Sequence, residues 1–334
     1  MRFPSPGRLL GAGAVLLAAT AVVLWLTPSS DYLLLPERAA PVAPLVTVKG
    51  EKPSKDGGGI YYVAAVIRRA KLFEQIFPSI HDGATLVPEE RINGSRDERE
   101  RRQADLRAMA RSQDVAAAVA LKELGYTVTV KPTGALISDI AAGAPADGRL
   151  ERGEIVVGVD GAEVRLLEDL GRLIRKHRPG EPVQLRVRGE RGLRTVTLRT
   201  IADPNHAGRA IIGVLAVQAT DIRLPFPVRI DAGSIGGPSA GLAFALDVME
   251  ELGRDVDHGY RVAATGEIQP DGTIAAVGAL EQKTIGARRA KVDVFLVPGD
   301  NAAEAEKFAG DLRIVPVRSF GQALRALATL PPKA

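Results

Sequence analysis

Residues 9–26 (LLGAGAVLLAATAVVLWL) form an uncharged run, and the spacing of apolar positions changes character several times after it. An 18-residue helix of that composition spans about 27 Å, close to the thickness of a bilayer core. Arg2 and Arg8 precede the run. Together they predict a single-pass anchor at 9–26, with 1–8 cytoplasmic and the bulk of the chain outside the cytoplasm, at the cell membrane. A cleaved signal peptide is the rival reading, since Thr27-Pro28-Ser29 loosely resembles a small-residue cleavage site, although Pro28 makes that site poor. Residues 28–59 are rich in Pro and Gly and read as a linker that becomes an irregular strand or two. A strand at 60–67 and a short helix at 71–77 follow, the latter stopped by Pro78. Residues 97–124 lack Pro and Gly and read as one helix with a polar first half, an apolar second half and a stop at Gly125. The charge run 96–102 reads as a solvated helix face, with a partner-binding patch as the alternative. The expected N-terminal region, linker plus long helix, is 27–123.

From Gly125 the period becomes two: Tyr126, Val128 and Val130 alternate with threonines, and 135–140 predicts a second strand. Next come Gly143-Ala144-Pro145-Ala146, Gly153-Glu154-Ile155-Val156-Val157, Val159-Asp160-Gly161, a helix at 167–177, Pro179-Gly180-Glu181 and two further strands. This order resembles a bacterial PDZ domain over 124–202, with Glu154 where that family usually has Asp. The resemblance implies an extended peptide end added to a sheet edge. It places the carboxylate loop at Leu124, Gly125 and Tyr126, with Leu170 and Ile174 in the groove. The plainer reading makes these ordinary core and turn positions in a docking domain.

Composition narrows the classes. The 334 residues suffice for about two domains. With 46% hydrophobic but only 4% aromatic residues, the cores must be built from Ala, Val, Leu and Ile. The net charge of +4 arises from charges of both signs without a basic tract, so nucleic acid is not an expected partner. Cysteine is absent, which rules out disulfides, thiol catalysis and thiolate ligands for zinc. No segment matches Gly-x4-Gly-Lys-Ser/Thr, so ATP is not implied. The expectation is no cofactor and no metal.

The remaining chemistry lies in the last third. Gly236-Gly237-Pro238-Ser239-Ala240-Gly241 opens a helix running to about Leu252, and Ser239 shares a face with Leu242, Ala243 and Leu246. Lys283 lies on a second helix, at about 280–290, three residues after Leu280 and four before Ala287. It is the lysine of that helix best placed for burial. Burial matters because roughly 0.04% of a free lysine is neutral at pH 7, and desolvation lowers its pKa. A serine at a helix start is commonly a cap and a helix lysine commonly snorkels. Gly237-Pro238-Ser239-Ala240-Gly241 also fits a nucleophile elbow, but the only later histidine, His258, comes 19 residues on, too soon for that fold.

Gly-Pro-Ser-Ala-Gly, then Thr265-Gly266-Glu267-Ile268, then Gly278-Ala279-Leu280-Glu281-Gln282-Lys283 resemble the proteolytic domain of the Lon family over 209–330. The resemblance implies Ser239 as nucleophile, Lys283 as general base, and Gly237 and Thr265 as supporting or oxyanion groups. Many ATP-dependent members carry Asp where this chain has Gly236. The whole chain is similar to membrane-anchored PDZ–Lon proteases. The expected fold class is α+β: an N-terminal transmembrane helix, a PDZ-like β-rich domain and a Lon-type domain of mixed strands and helices. The expected function is ATP-independent serine endopeptidase acting on proteins or peptides outside the cytoplasm. Homo-oligomer formation is compatible with it. A catalytically silent PDZ scaffold at the membrane is the alternative.

Overall fold

The computed structural model describes residues 6–48, 57–94, 97–189 and 192–331. The chain divides into two units, one of Met1–Ala120 with Pro227–Ala334, the other of Leu121–Phe226. The first is therefore built from two separated stretches of sequence, and the second is inserted between them.

Helix α1 (Pro6–Leu26) contains the uncharged run. Residues 1–5, and the side chains of 6–10 and 12, lie outside the described residues. Among the described residues no helix is long and apolar enough to cross a membrane. The segment read as a linker is largely strand: β1 (Pro28–Pro36), β2 (Ala40–Pro41) and β3 (Val46–Val48). The single strand expected at 60–67 is two, β4 (Gly59–Tyr62) and β5 (Ala65–Lys71), which join different sheets. After α2 (Leu72–Ile76), β6 (Thr85–Val87) completes a small sheet of order β5-β1-β6, and α3 (Glu89–Asn93) follows. Helix α4 (Glu98–Glu123) starts on a capping box: Asp97 accepts the Glu100 N–H at 2.7 Å, and the Glu100 carboxylate reaches back to the Asp97 N–H. Its second half, Val115 to Leu121, is buried as the apolar pattern requires.

In the inserted unit, β7 (Thr129–Ile140) absorbs both strands expected before residue 141, bending at Gly134, whose φ is +134°. It is joined by β8 (Ile155–Val159), β9 (Ala162–Glu163), α5 (Leu167–Ile174), β10 (Pro182–Gly189) and β11 (Gly192–Arg199). The hairpin β12 (Ile201–Asp203) with β13 (His206–Ile211) leads to β14 (Val214–Arg223). The main sheet runs β11-β10-β8-β7-β14 over a core that includes Ile137, Val156, Leu170 and Leu185. The strand expected to open the proteolytic domain after Arg209 is thus β14, an edge strand of the PDZ-like sheet, antiparallel to β7 from Val214↔Ile140 to Arg223↔Thr129.

The chain returns to the first unit with β15 (Val228–Ile230), which pairs with β3. Helix α6 (Gly241–Glu251), β16 (Arg261–Ala264), β17 (Glu267–Ile268), β18 (Ile274–Ala275) and α7 (Leu280–Arg289) follow. Last come β19 (Val294–Pro298), α8 (Ala302–Ala309), β20 (Arg313–Val317) and α9 (Phe320–Ala328). The main sheet is β2-β4-β16-β19-β20; β4, β16, β19 and β20 are parallel and β2 is antiparallel to β4. Being covered, β19 reads as a continuous apolar run, buried along its whole length.

Helix α7 approaches the first stretch closely at Gly286, where an added Cβ would collide with the Glu37 carbonyl oxygen. Gly286→Ala is expected to destabilise the protein by about 1–3 kcal/mol through overpacking, seen as a lower Tm in thermal denaturation.

Candidate active site

Ser239 sits in a 3-10 turn, Pro238–Ala240, that runs straight into α6. Gly237 enters the turn at φ +83°, a conformation glycine adopts without strain. Proline then pre-sets the first helical position. The Ser239 carbonyl accepts the Gly266 N–H at 2.8 Å and the Thr265 hydroxyl at 3.1 Å. Behind it α6 is buried, with Leu242, Ala243 and Leu246 fully inaccessible, as the helical spacing from Ser239 requires.

Lys283 lies on the first turn of α7, and its N–H closes onto Ala279, held left-handed at φ +60°. Its side chain is buried, and Nζ donates to Thr265 Oγ1 at 3.3 Å. Thr265, itself fully buried, has one hydroxyl proton, directed at the Ser239 carbonyl. Towards Lys283 it can therefore act only as an acceptor. This fixes one N–H of the amine and leaves a neutral Nζ its lone pair for another partner. Desolvation pushes the Lys283 pKa down from 10.5 to about 8. At that value about 10% of the amine is neutral at pH 7, against roughly 0.04% for a free lysine.

Ser239 and Lys283 line one cleft of about 730 Å³, with Val66 and Ile67 of β5, Met109 of α4, Gly236 and Ala279 among its walls. Asn301 accepts the Val277 N–H at 2.8 Å and holds the loop before α7. His258 is exposed, in a loop beside Asp255, and is not part of the cleft wall.

Helix α4 is the element the sequence did not place here. The Asp105 carbonyl accepts the Gly237 N–H at 2.9 Å, Ser112 Oγ donates to the Pro238 carbonyl at 2.9 Å, and Arg102 Nη2 donates to the Ser234 carbonyl at 2.7 Å. Two glycines permit this approach: a Cβ on Gly236 would lie 2.8 Å from Asp105 Cβ, and one on Gly241 2.6 Å from Ser112 Oγ. Of the two roles expected for Gly237, supporting or oxyanion, this leaves the supporting one, because α4 takes its N–H. It also explains Gly236, since an aspartate there would collide with α4. The signal was available as glycines at 236 and 241 flanking the Pro-Ser-Ala turn, but nothing local names their neighbour.

In the inserted unit the groove residues divide. Leu170 and Ile174 line a cleft of about 430 Å³, together with Leu167, Arg175, Arg209 and 210–214. Leu124, Gly125 and Tyr126 do not line it. They stop α4: Gly125, at φ +85°, bonds to the Lys122 carbonyl and Tyr126 to that of Leu121, both at 3.0 Å, and the Tyr126 ring meets Phe226 edge-on at 5.1 Å. The loop at the groove is instead Ile211-Ile212-Gly213-Val214, where Gly213 has φ +77° and Val214 begins edge strand β14. The sequence shows an apolar-glycine loop there, obscured because the following strand reads equally well as the start of the next domain.

Ser112→Ala leaves the Pro238 carbonyl without its hydroxyl donor at a mostly buried position, a loss of about 1–3 kcal/mol. It is expected to lower kcat about tenfold with little change in KM for a peptide substrate. Lys283 costs stability: its folded pKa, about 8, is below the 10.5 of the free side chain. The penalty, about 3 kcal/mol, is complete below pH 8 and fades as pH rises from about 8 to 10.5. Lys283→Met is expected to raise Tm at pH 7, with the difference from the native chain closing by pH 10.5.

Residues 214–329 match the Lon protease (S16) C-terminal proteolytic domain, and residues 112–200 match the PDZ domain family. Lon protease 1 of Sorangium cellulosum is 30% identical over 118 residues, covering 32% of this chain and 14% of that protein. Lon protease of Chloroflexus aggregans is 35% identical over 115 residues, with the same coverage of each. The matched part thus spans about one-seventh of the length of these curated relatives. Among solved structures, the PDZ domain of the SdrC-like protein of Listeria monocytogenes aligns at 19% identity with a TM-score of 0.24, covering 25% of this chain and 88% of that one. The chain carries a Lon-type (S16) proteolytic domain and, ahead of it, a PDZ domain.

Proposed function

We propose that the protein is an ATP-independent serine endopeptidase working through a Ser239–Lys283 dyad. The observation that carries this reading is the buried Lys283 amine bonded to Thr265, whose own proton is directed at the Ser239 carbonyl. Neutral Lys283 takes the proton from Ser239 Oγ as that oxygen attacks the scissile carbonyl carbon. The tetrahedral oxyanion faces the start of the Pro238–Ala240 turn, where the Ser239 N–H precedes any intrahelical acceptor. Protonated Lys283 then gives its proton to the leaving amine, and an acyl-enzyme remains. In the second half Lys283 takes a proton from water, hydroxide adds to the ester, and the proton returns to Ser239 as the acid is released.

The remaining parts fit this task. The α5–β14 groove accepts an extended peptide end, with Arg175 and Arg209 offering positive charge. Helix α1, uncharged from Leu9 to Leu26, anchors the chain in the membrane with the proteolytic unit outside the cytoplasm. Support comes from Val15, Leu16, Leu17, Val22 and Val23, all exposed on α1, a density of apolar surface that is unfavourable in water.

Ser239→Ala and Lys283→Ala are each expected to abolish cleavage of an unfolded protein, and Ser239→Ala to abolish labelling by a fluorophosphonate probe. Turnover by the native chain is expected to rise about tenfold per pH unit and level off above about pH 8. Retained cleavage in either variant would remove the dyad. An unlabelled native chain would favour a binding scaffold.

A further inference from the structure

Where α1 ends, a second apolar surface begins. Ile76, Phe77 and Ile80 are 56%, 51% and 47% exposed, and Trp25, on the last turn of α1, is 47% exposed. The two aromatic members are linked through Phe73: Trp25 meets Phe73 at 5.6 Å, and Phe73 meets Phe77 at 4.9 Å. Single exposed apolar residues need no explanation, but a connected aromatic and aliphatic cluster does.

The cluster is also fixed relative to α1. The Leu72 N–H, at the start of α2, donates to the Thr27 carbonyl at 3.0 Å, while the Thr27 N–H continues the helical ladder to Val23. The buried Glu74 carboxylate accepts the Lys71 N–H at 2.8 Å, both Arg68 guanidinium nitrogens at 2.8 and 2.6 Å, and lies 2.7 Å from His81 Nε2. Arg68 holds its pKa down to about 2, so it stays ionised and paired. The Arg68–Glu74 pair thus neutralises its charge at the back of α2, and Ile76, Phe77 and Ile80 project outward beside the polar Gln75 and Ser79.

We propose that Ile76, Phe77 and Ile80, beside Trp25, form a membrane-contact face that seats the proteolytic unit against the bilayer entered by α1. The occupant is lipid because the cluster continues directly from α1 and joins a tryptophan to phenylalanines, a combination suited to the boundary between headgroups and acyl chains. Contact rests on apolar burial and not on basic residues, so it does not require anionic lipid. The inference rests on the anchoring role of α1 given above and adds a second point of attachment.

Trp25 is the only tryptophan in the chain, which allows each point to be read separately. The full-length protein is reconstituted in phosphatidylcholine vesicles brominated near the ester end of the acyl chains, with unbrominated vesicles as reference. The native chain reports on Trp25, and a Trp25→Phe, Phe77→Trp chain reports on position 77. The expectation is that both lose at least half their fluorescence, with no change between low salt and 0.5 M salt. Quenching in the native chain but not in the double variant would overturn the contact face while leaving the anchor, and would assign the cluster to a protein partner. Quenching in neither would overturn the anchor as well.

Discussion

Lys283 is almost fully buried in the cleft wall, and desolvation makes its amine easier to deprotonate than that of a free lysine. The surrounding architecture serves this placement: α7 lies over the parallel sheet, Gly286 lets it sit against the Glu37 carbonyl, and Thr265 supplies the hydrogen-bond partner of the amine. A more polar pocket would stabilise the fold and disable the base. The site therefore accepts a standing loss of stability in exchange for a usable lone pair, and the buried apolar runs of α6 and β19 offset it.

The nucleophile depends on a different constraint. A turn built from Gly, Pro and Ser has few side chains with which to hold itself, so its geometry must be fixed from outside. Ser239 is held through its carbonyl by Thr265 and Gly266, and the residues before it are held by α4 through Asp105 and Ser112. The second set comes from sequence ahead of the inserted unit and lies almost wholly outside the stretch that matches the Lon proteolytic domain. The N-terminal region is therefore part of the Ser239 site and not a spacer.

Much of the chemistry was legible because it is local. The three-and-four spacing on α7 was enough to show that Lys283, with Leu280 and Ala287, would face inward, and Gly-Pro-Ser marks its own helix start. What stayed hidden depends on partners distant in sequence. The charged first half of α4 looks like a solvated face, yet Asp105, Met109 and Ser112, at four-and-three spacing, face the Ser239 turn. Only Met109 is apolar, so no apolar stripe marks that face. The single strand expected at 60–67 breaks because its halves pair with β16 and β1, far away in opposite directions. Gly125 ends α4 as its sequence indicates, but Leu124-Gly125-Tyr126 does not reach the groove, whose loop is 211–214.

The edge-on contact between Tyr126 and Phe226 joins the two ends of the inserted unit. For the order of events on the ribosome this has a consequence. The pairings β3 with β15 and β4 with β16, and the grip of α4 on Gly237, must all wait until the chain after the insert has been synthesised. A polypeptide still emerging therefore lacks the assembled Ser239–Lys283 cleft. Once the insert folds, its joined ends replace a loop of about 100 residues by a short one. That removes about 1 kcal/mol or more of closure entropy from the final step. The inserted unit thus acts as a clasp in biogenesis, shortening the loop between the two stretches that build the first unit.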